Sequence, residues 1–156
     1  MGLDILSEKG QASLHYEKIM LDKISEIRGV DLVETDKDTD AKIDGLIIKN
    51  NALVGAFESK CRKLSLDELK RFGSWLITMD KILDGRKISK LLRIPFFGFL
   101  YLIRDERILC WQITDSEGTF SFDFNIANTK TQKTINGGEI VRTNAFLPIE
   151  KARIIQ

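Results

Sequence analysis

The chain has 156 residues, 43% hydrophobic and 30% charged, with a formal net charge of +1. That is enough apolar chain for one domain with a real core, the composition is ordinary for a soluble globular protein, and no internal repeat or low-complexity linker interrupts it. One histidine and two cysteines without a Cys-x-x-Cys pair argue against a zinc site, and no apolar run is long enough to span a membrane, so a cytoplasmic protein is expected.

Residues 8–28 predict an amphipathic helix, with Leu14, Met20, Leu21, Ile24 and Ile27 as the apolar stripe. Glu17 falls inside the stripe, where a carboxylate is costly unless it is paired or bound to a cation. His15 lies on the opposite, exposed side. Gly29 reads as the helix terminator and residues 30–34 as a short strand. The polar stretch after it carries Asp36, Asp38 and Asp40, but Ala41 and Ile47 stand where a calcium-binding EF-hand loop needs glycine and glutamate, so that reading fails.

Lys42 to Arg62 organises the rest. Residues 43–48 and 53–61 are apolar strand-like runs separated by Lys49, Asn50 and Asn51, a hairpin pattern. Strand alternation puts Glu58 and Lys60 on one face with Val54 and Ala56, and Leu53, Phe57 and Cys61 on the other. A three-residue loop would place Asp44 opposite Glu58; a two-residue loop, Asn50–Asn51, would pair Asp44 with Phe57 and separate the carboxylates. Bringing them together therefore requires the odd loop or a bulge. Two adjacent carboxylates repel unless a cation lies between them, and a hard ion such as Mg²⁺ takes such oxygens together with waters and phosphate.

Ser65 and Glu68 form a capping box opening a second helix, expected to run to Asp84-Gly85 with Leu69, Phe72, Leu76, Met79 and Leu83 buried. The following GRKISKLLRI reads as a loop or short helix. Residues 95–103 form a continuous apolar run, a buried strand, and 108–114 return as another after a turn. Cys61 and Cys110 both fall in apolar runs and read as buried reduced thiols. Phe120, Phe122, Phe124 and Ile126 alternate with polar residues and predict a strand with one buried face; Asn128–Thr134 reads as a loop, Asn136-Gly137-Gly138 as a turn and Glu139–Leu147 as a final strand.

Charge is distributed unevenly. Residues 60–93 hold ten Lys/Arg against four acids, and residues 31–44 hold six acids against two lysines. A basic zone beside an acidic pocket suits a site that holds cations and attracts a polyanion; Arg62, Lys63, Lys70, Arg71, Arg86, Lys87, Lys90 and Arg93 are the candidate phosphate contacts.

Asp44, then Glu58-Ser59-Lys60 after a hairpin, then a helix from Ser65, resembles the core of the PD-(D/E)XK nuclease superfamily, over residues 10–103. Ile43 replaces the namesake proline, and the glutamine that exonuclease-type members carry on the next helix is absent between Cys61 and Asp84. The resemblance implies an α/β fold of restriction-endonuclease-like type: a mixed central sheet with an α-β-β-β-α-β core flanked by helices, in one domain, with residues 104–156 as a β-rich extension. It implies a metal-dependent endonuclease that leaves 5′-phosphate ends, with DNA favoured over RNA, and a homodimer among the possible assemblies. Asp44, Glu58, the Ser59 carbonyl and Glu17 would hold Mg²⁺ or Mn²⁺, and Lys60 would act on the attacking water or the scissile phosphate. The alternatives are a non-catalytic nucleic-acid-binding or assembly domain on the same fold and a ribonuclease of the cap-snatching or toxin kind.

Overall fold

The structure is a computed structural model that describes residues 8–36, 42–133 and 139–156. The aspartate-rich loop and the Asn136-Gly137-Gly138 turn, both expected from the sequence, lie wholly or largely outside the described residues. Among the described residues the fold is mixed α/β, with three α-helices and two sheets. The first helix, α1, spans Glu8–Arg28 and stops at Gly29, whose φ of 63° is left-handed and whose N–H bonds the Ser25 carbonyl at 2.9 Å.

Strands β1 (Asp31–Glu34), β2 (Gly45–Lys49) and β3 (Ala52–Arg62) follow as antiparallel neighbours. The chain then passes through helix α2 (Leu66–Phe72), strand β4 (Ser74–Thr78) and helix α3 (Met79–Leu92) before returning as β5 (Phe96–Leu102), parallel to β3. Strand β6 (Arg107–Thr114) and the two-residue strand β9 (Arg153–Ile154) complete a six-stranded sheet in the order β1-β2-β3-β5-β6-β9. Strands β7 (Asn125–Lys133) and β8 (Glu139–Pro148) join β4 in a second, antiparallel sheet ordered β4-β8-β7.

The central sheet divides the core in two. On one face Met20, Leu21 and Ile24 of α1 pack on Ile47, Phe57, Phe99, Tyr101 and Ile108. On the other, Ala56, Phe96, Leu100, Leu102, Leu109 and Trp111 meet Leu69, Ile82 and the inner residues Trp75, Ile77, Ala145 and Leu147 of the second sheet. Strand alternation sorts these residues, and it sends consecutive residues of β3 to opposite layers.

Two sequence-based expectations are corrected. The single helix 65–84 is two helices with a strand between them. The capping box at Ser65 and Glu68 is present, but Gly73 ends α2 in a left-handed conformation, φ 81°. Beyond it, Ser74–Thr78 has a β-branched and aromatic alternation that buries Trp75 and Ile77 and pairs with Asn144–Pro148. Phe72, Leu76 and Leu83, expected in the helix core, are exposed. Asp84-Gly85 sits within α3, where a Cβ at Gly85 would meet the Phe96 ring at 2.2 Å, so glycine permits the helix to close on the sheet. The basic GRKISKLLRI stretch is mostly the second half of that helix.

In the second correction, residues 120–126 are not one strand. Phe120 makes a single bridge to Thr114, and Phe120, Phe122 and Phe124 pack edge to face against one another and the core. Strand β7 starts at Asn125 and takes in most of the stretch read as a polar loop.

Candidate active site

The hairpin decides whether Asp44 and Glu58 meet. Its loop is the two-residue Asn50–Asn51 turn, with φ of 51° and 63°, the doubly left-handed turn that Asn favours. Lys49 pairs with Ala52 and Ile48 with Leu53; then the register shifts, so that Ile47 pairs with Gly55 and Gly45 with Phe57. Val54 is the extra residue of a β-bulge. The bulge does what an odd loop would have done: one position past Gly45 and Phe57, Asp44 comes level with Glu58.

Asp44 is anchored through its backbone. Its N–H donates to the Phe57 carbonyl at 3.1 Å, and its carbonyl accepts from the Thr35 N–H at 2.8 Å and the Thr35 hydroxyl at 3.0 Å. The neighbouring Gly45 leaves room for this close approach, since a Cβ there would lie 2.5 Å from both the Phe57 ring and the Val33 carbonyl. The Asp44 carboxylate accepts the Ser59 N–H at 2.8 Å and lies 3.3 Å from the Ser59 hydroxyl.

Glu58 is fully buried, on the α3 side of the sheet, and neither carboxylate oxygen has a hydrogen-bond partner. Its nearest cations are Lys81 Nζ at 3.9 Å and Lys60 Nζ at 4.0 Å, both on side chains that keep solvent contact. Burial first, and the Asp44 charge second, push the Glu58 carboxyl up to about 8, against the opposing pull of the two lysines. At neutral pH without a bound cation this group holds a proton. Two orphaned hard oxygens next to a second carboxylate are a donor set suited to Mg²⁺ or Mn²⁺. The Ser59 carbonyl fits the set as well. In a strand the N–H and C=O of a residue face the same neighbour, so this carbonyl looks past the end of β2, on the Asp44 side.

Glu17 is placed differently. It lies on α1, on the other face of the sheet, and its carboxylate accepts the Ser59 hydroxyl at 2.6 Å. It reaches the Asp44–Glu58 pair through that hydroxyl. Among the described residues, no three His, Cys, Asp or Glu side chains cluster closely enough to hold a metal ion. His15 is exposed, as its helical phase predicts. Cys61 and Cys110 are free thiols, each pushed up to about 12 chiefly by burial, and so unsuited to metal ligation.

The candidate phosphate contacts separate into two groups. Arg62, Lys63, Lys70, Arg71, Lys87, Lys90 and Arg93 are exposed. Arg86 is occupied: its Nε donates to the Gly118 carbonyl at 2.9 Å, and its guanidinium stacks 5.0 Å from the Phe120 ring centre. The stem of Lys90 lies over Gly118, leaving no room for a Cβ there. Both side chains thus hold the 115–119 turn against α3.

Lys81 is the residue that sequence reasoning missed. It sits in the first turn of α3, and its signal is the Thr78–Met79 junction between strand and helix, which a continuous helix from Ser65 conceals. Comparison of the chain with family models, with curated proteins and with solved structures gives no match.

Proposed function

We propose that the chain is a metal-dependent nuclease with a PD-(D/E)XK-like centre, and that it hydrolyses phosphodiester bonds, in DNA before RNA. One observation carries the reading: Glu58 is wholly buried, neither of its oxygens has a hydrogen-bond partner, and it stands level with Asp44. An orphaned buried carboxylate costs several kcal/mol, and a fold retains it where a ligand repays that cost. The order α1-β1-β2-β3, a helical connection and β5 beside β3 supports a restriction-endonuclease-like core. The second sheet, which recruits β4 from inside that connection, is an addition to it.

In this reading Asp44, Glu58 and the Ser59 carbonyl would hold Mg²⁺ or Mn²⁺, which when bound would supply Lewis acidity toward water and phosphate. Lys60, half-exposed and on the Glu58 face, is placed to orient the attacking water or to take its proton. Lys81 adds a second positive charge where negative charge grows during in-line attack. Glu17 holds the Ser59 hydroxyl, and with it the backbone that presents the Asp44 partner.

The test is a cleavage assay offering supercoiled plasmid, a four-way junction, single-stranded DNA and RNA, each with EDTA, Mg²⁺ or Mn²⁺. Cutting that needs the metal and falls at least about 100-fold in both Asp44→Asn and Lys60→Ala is expected. Cutting that survives both substitutions contradicts the assignment. No cutting, with nucleic-acid binding intact, transfers the site to a non-catalytic binding domain.

A further inference from the structure

On the face of the central sheet away from Glu58 lies a second cavity of about 250 Å³, between the C-terminal half of α1 and strands β2, β3, β5, β6 and β9. Its walls are Ile24, Val30, Ile47, Val54, Phe97 and Phe99, with Ile155 and the Cys110 thiol, and they are overwhelmingly apolar. Two exceptions line the same cavity: Arg28, in the last turn of α1, and Arg153, on β9 opposite Cys110. Both are exposed, and neither has an acidic or hydrogen-bonding partner among the described residues. Both guanidinium-bearing residues border the same cavity, beside the Cys110 thiol.

The combination is selective. A helix C-terminus favours a cation by itself, which accounts for Arg28, but nothing of that kind accounts for Arg153. An apolar cavity recruits hydrocarbon, and two unpaired guanidinium groups recruit an oxyanion, whose two oxygens a guanidinium matches as a fork. The cavity falls just below the low end, about 300 Å³, of ordinary small-molecule sites, so the occupant is a short chain rather than a full lipid.

We propose that this cavity binds an apolar carboxylic acid of medium chain length, its tail among Ile24, Ile47, Phe97 and Phe99 and its carboxylate between Arg28 and Arg153. The site is separate from the Asp44–Glu58 centre and does not depend on the nuclease reading. Calorimetric titration with decanoate, decanol and inorganic phosphate tests it, alongside methyl NMR of the isoleucines. Decanoate is expected to bind with Kd below about 1 mM and to shift Ile24 and Ile47. The Arg28→Ala/Arg153→Ala double variant, whose changed side chains are exposed and leave the fold intact, is expected to weaken decanoate at least about tenfold and to leave decanol unchanged. Ile155→Trp, which fills the cavity, is expected to abolish binding of both. Absence of decanoate binding overturns the proposal. So does equal affinity in the double variant, or phosphate binding as tightly as decanoate.

Discussion

Glu58 and Ser59 are neighbours on one strand, both buried, and they differ in what meets them. Ser59 points toward α1, and its N–H and hydroxyl are both engaged, by Asp44 and Glu17. Glu58 points toward α3, and neither of its oxygens is hydrogen-bonded. Equal burial with opposite satisfaction separates scaffold from site. A hydrogen-bonded polar group holds the sheet to its helix; a buried carboxylate without a hydrogen bond, with only two lysines near 4 Å, carries a cost that a bound cation or a proton removes.

The contrast has a sign in pH. The Glu58 carboxyl rises from an ordinary 4.5 to about 8 on folding, so between those values the folded chain holds a proton that the unfolded chain has lost. Stability from this group is therefore full below about pH 4.5 and drains away as pH rises toward 8. Glu58→Gln removes the titration, and its advantage over the wild type is expected to open to about 4 kcal/mol by pH 8 in EDTA. Urea denaturation across that range measures it; parallel profiles for the two proteins would break the contrast.

Ser59→Ala probes the satisfied neighbour and is expected to cost about 1–2 kcal/mol at every pH, since it removes the buried Ser59–Glu17 hydrogen bond. A cost confined to high pH would place Ser59 in the site rather than the scaffold. The smallest effect is expected well away from β3. Arg104 contacts Glu68 at 2.6 Å on the surface and holds that carboxyl below its usual range, together with the capping bond to Ser65. Arg104→Ala should lower stability least of these changes, with a salt dependence that thermal unfolding in NaCl would reveal.

Much of the centre was legible because a hairpin has few degrees of freedom. Strand alternation puts Glu58 and Lys60 on one face, and the two-residue turn together with an Asp44–Glu58 pairing demands a bulge. The bulge's position at Val54 was not legible, because nothing in that run marks one residue as extra. The reading failed where long-range pairing overrides local period. Leu69, Phe72, Leu76 and Leu83 fit a helical stripe, yet β8, some seventy residues away, draws Ser74–Thr78 into a strand. That error also hid Lys81 from the site. The aromatic row at 120–124 has strand alternation, but its rings satisfy one another and the core without a ladder.

That the Glu58 carboxylate, buried without a hydrogen bond, takes a divalent cation is tested most directly by titrating the metal-free protein with Mn²⁺ at pH 7 in buffers of different ionisation enthalpy. Binding that releases close to one proton per ion, as a carboxyl held near 8 requires, and that is lost in Glu58→Gln, is the predicted result. No binding, or heats independent of the buffer, would contradict the account.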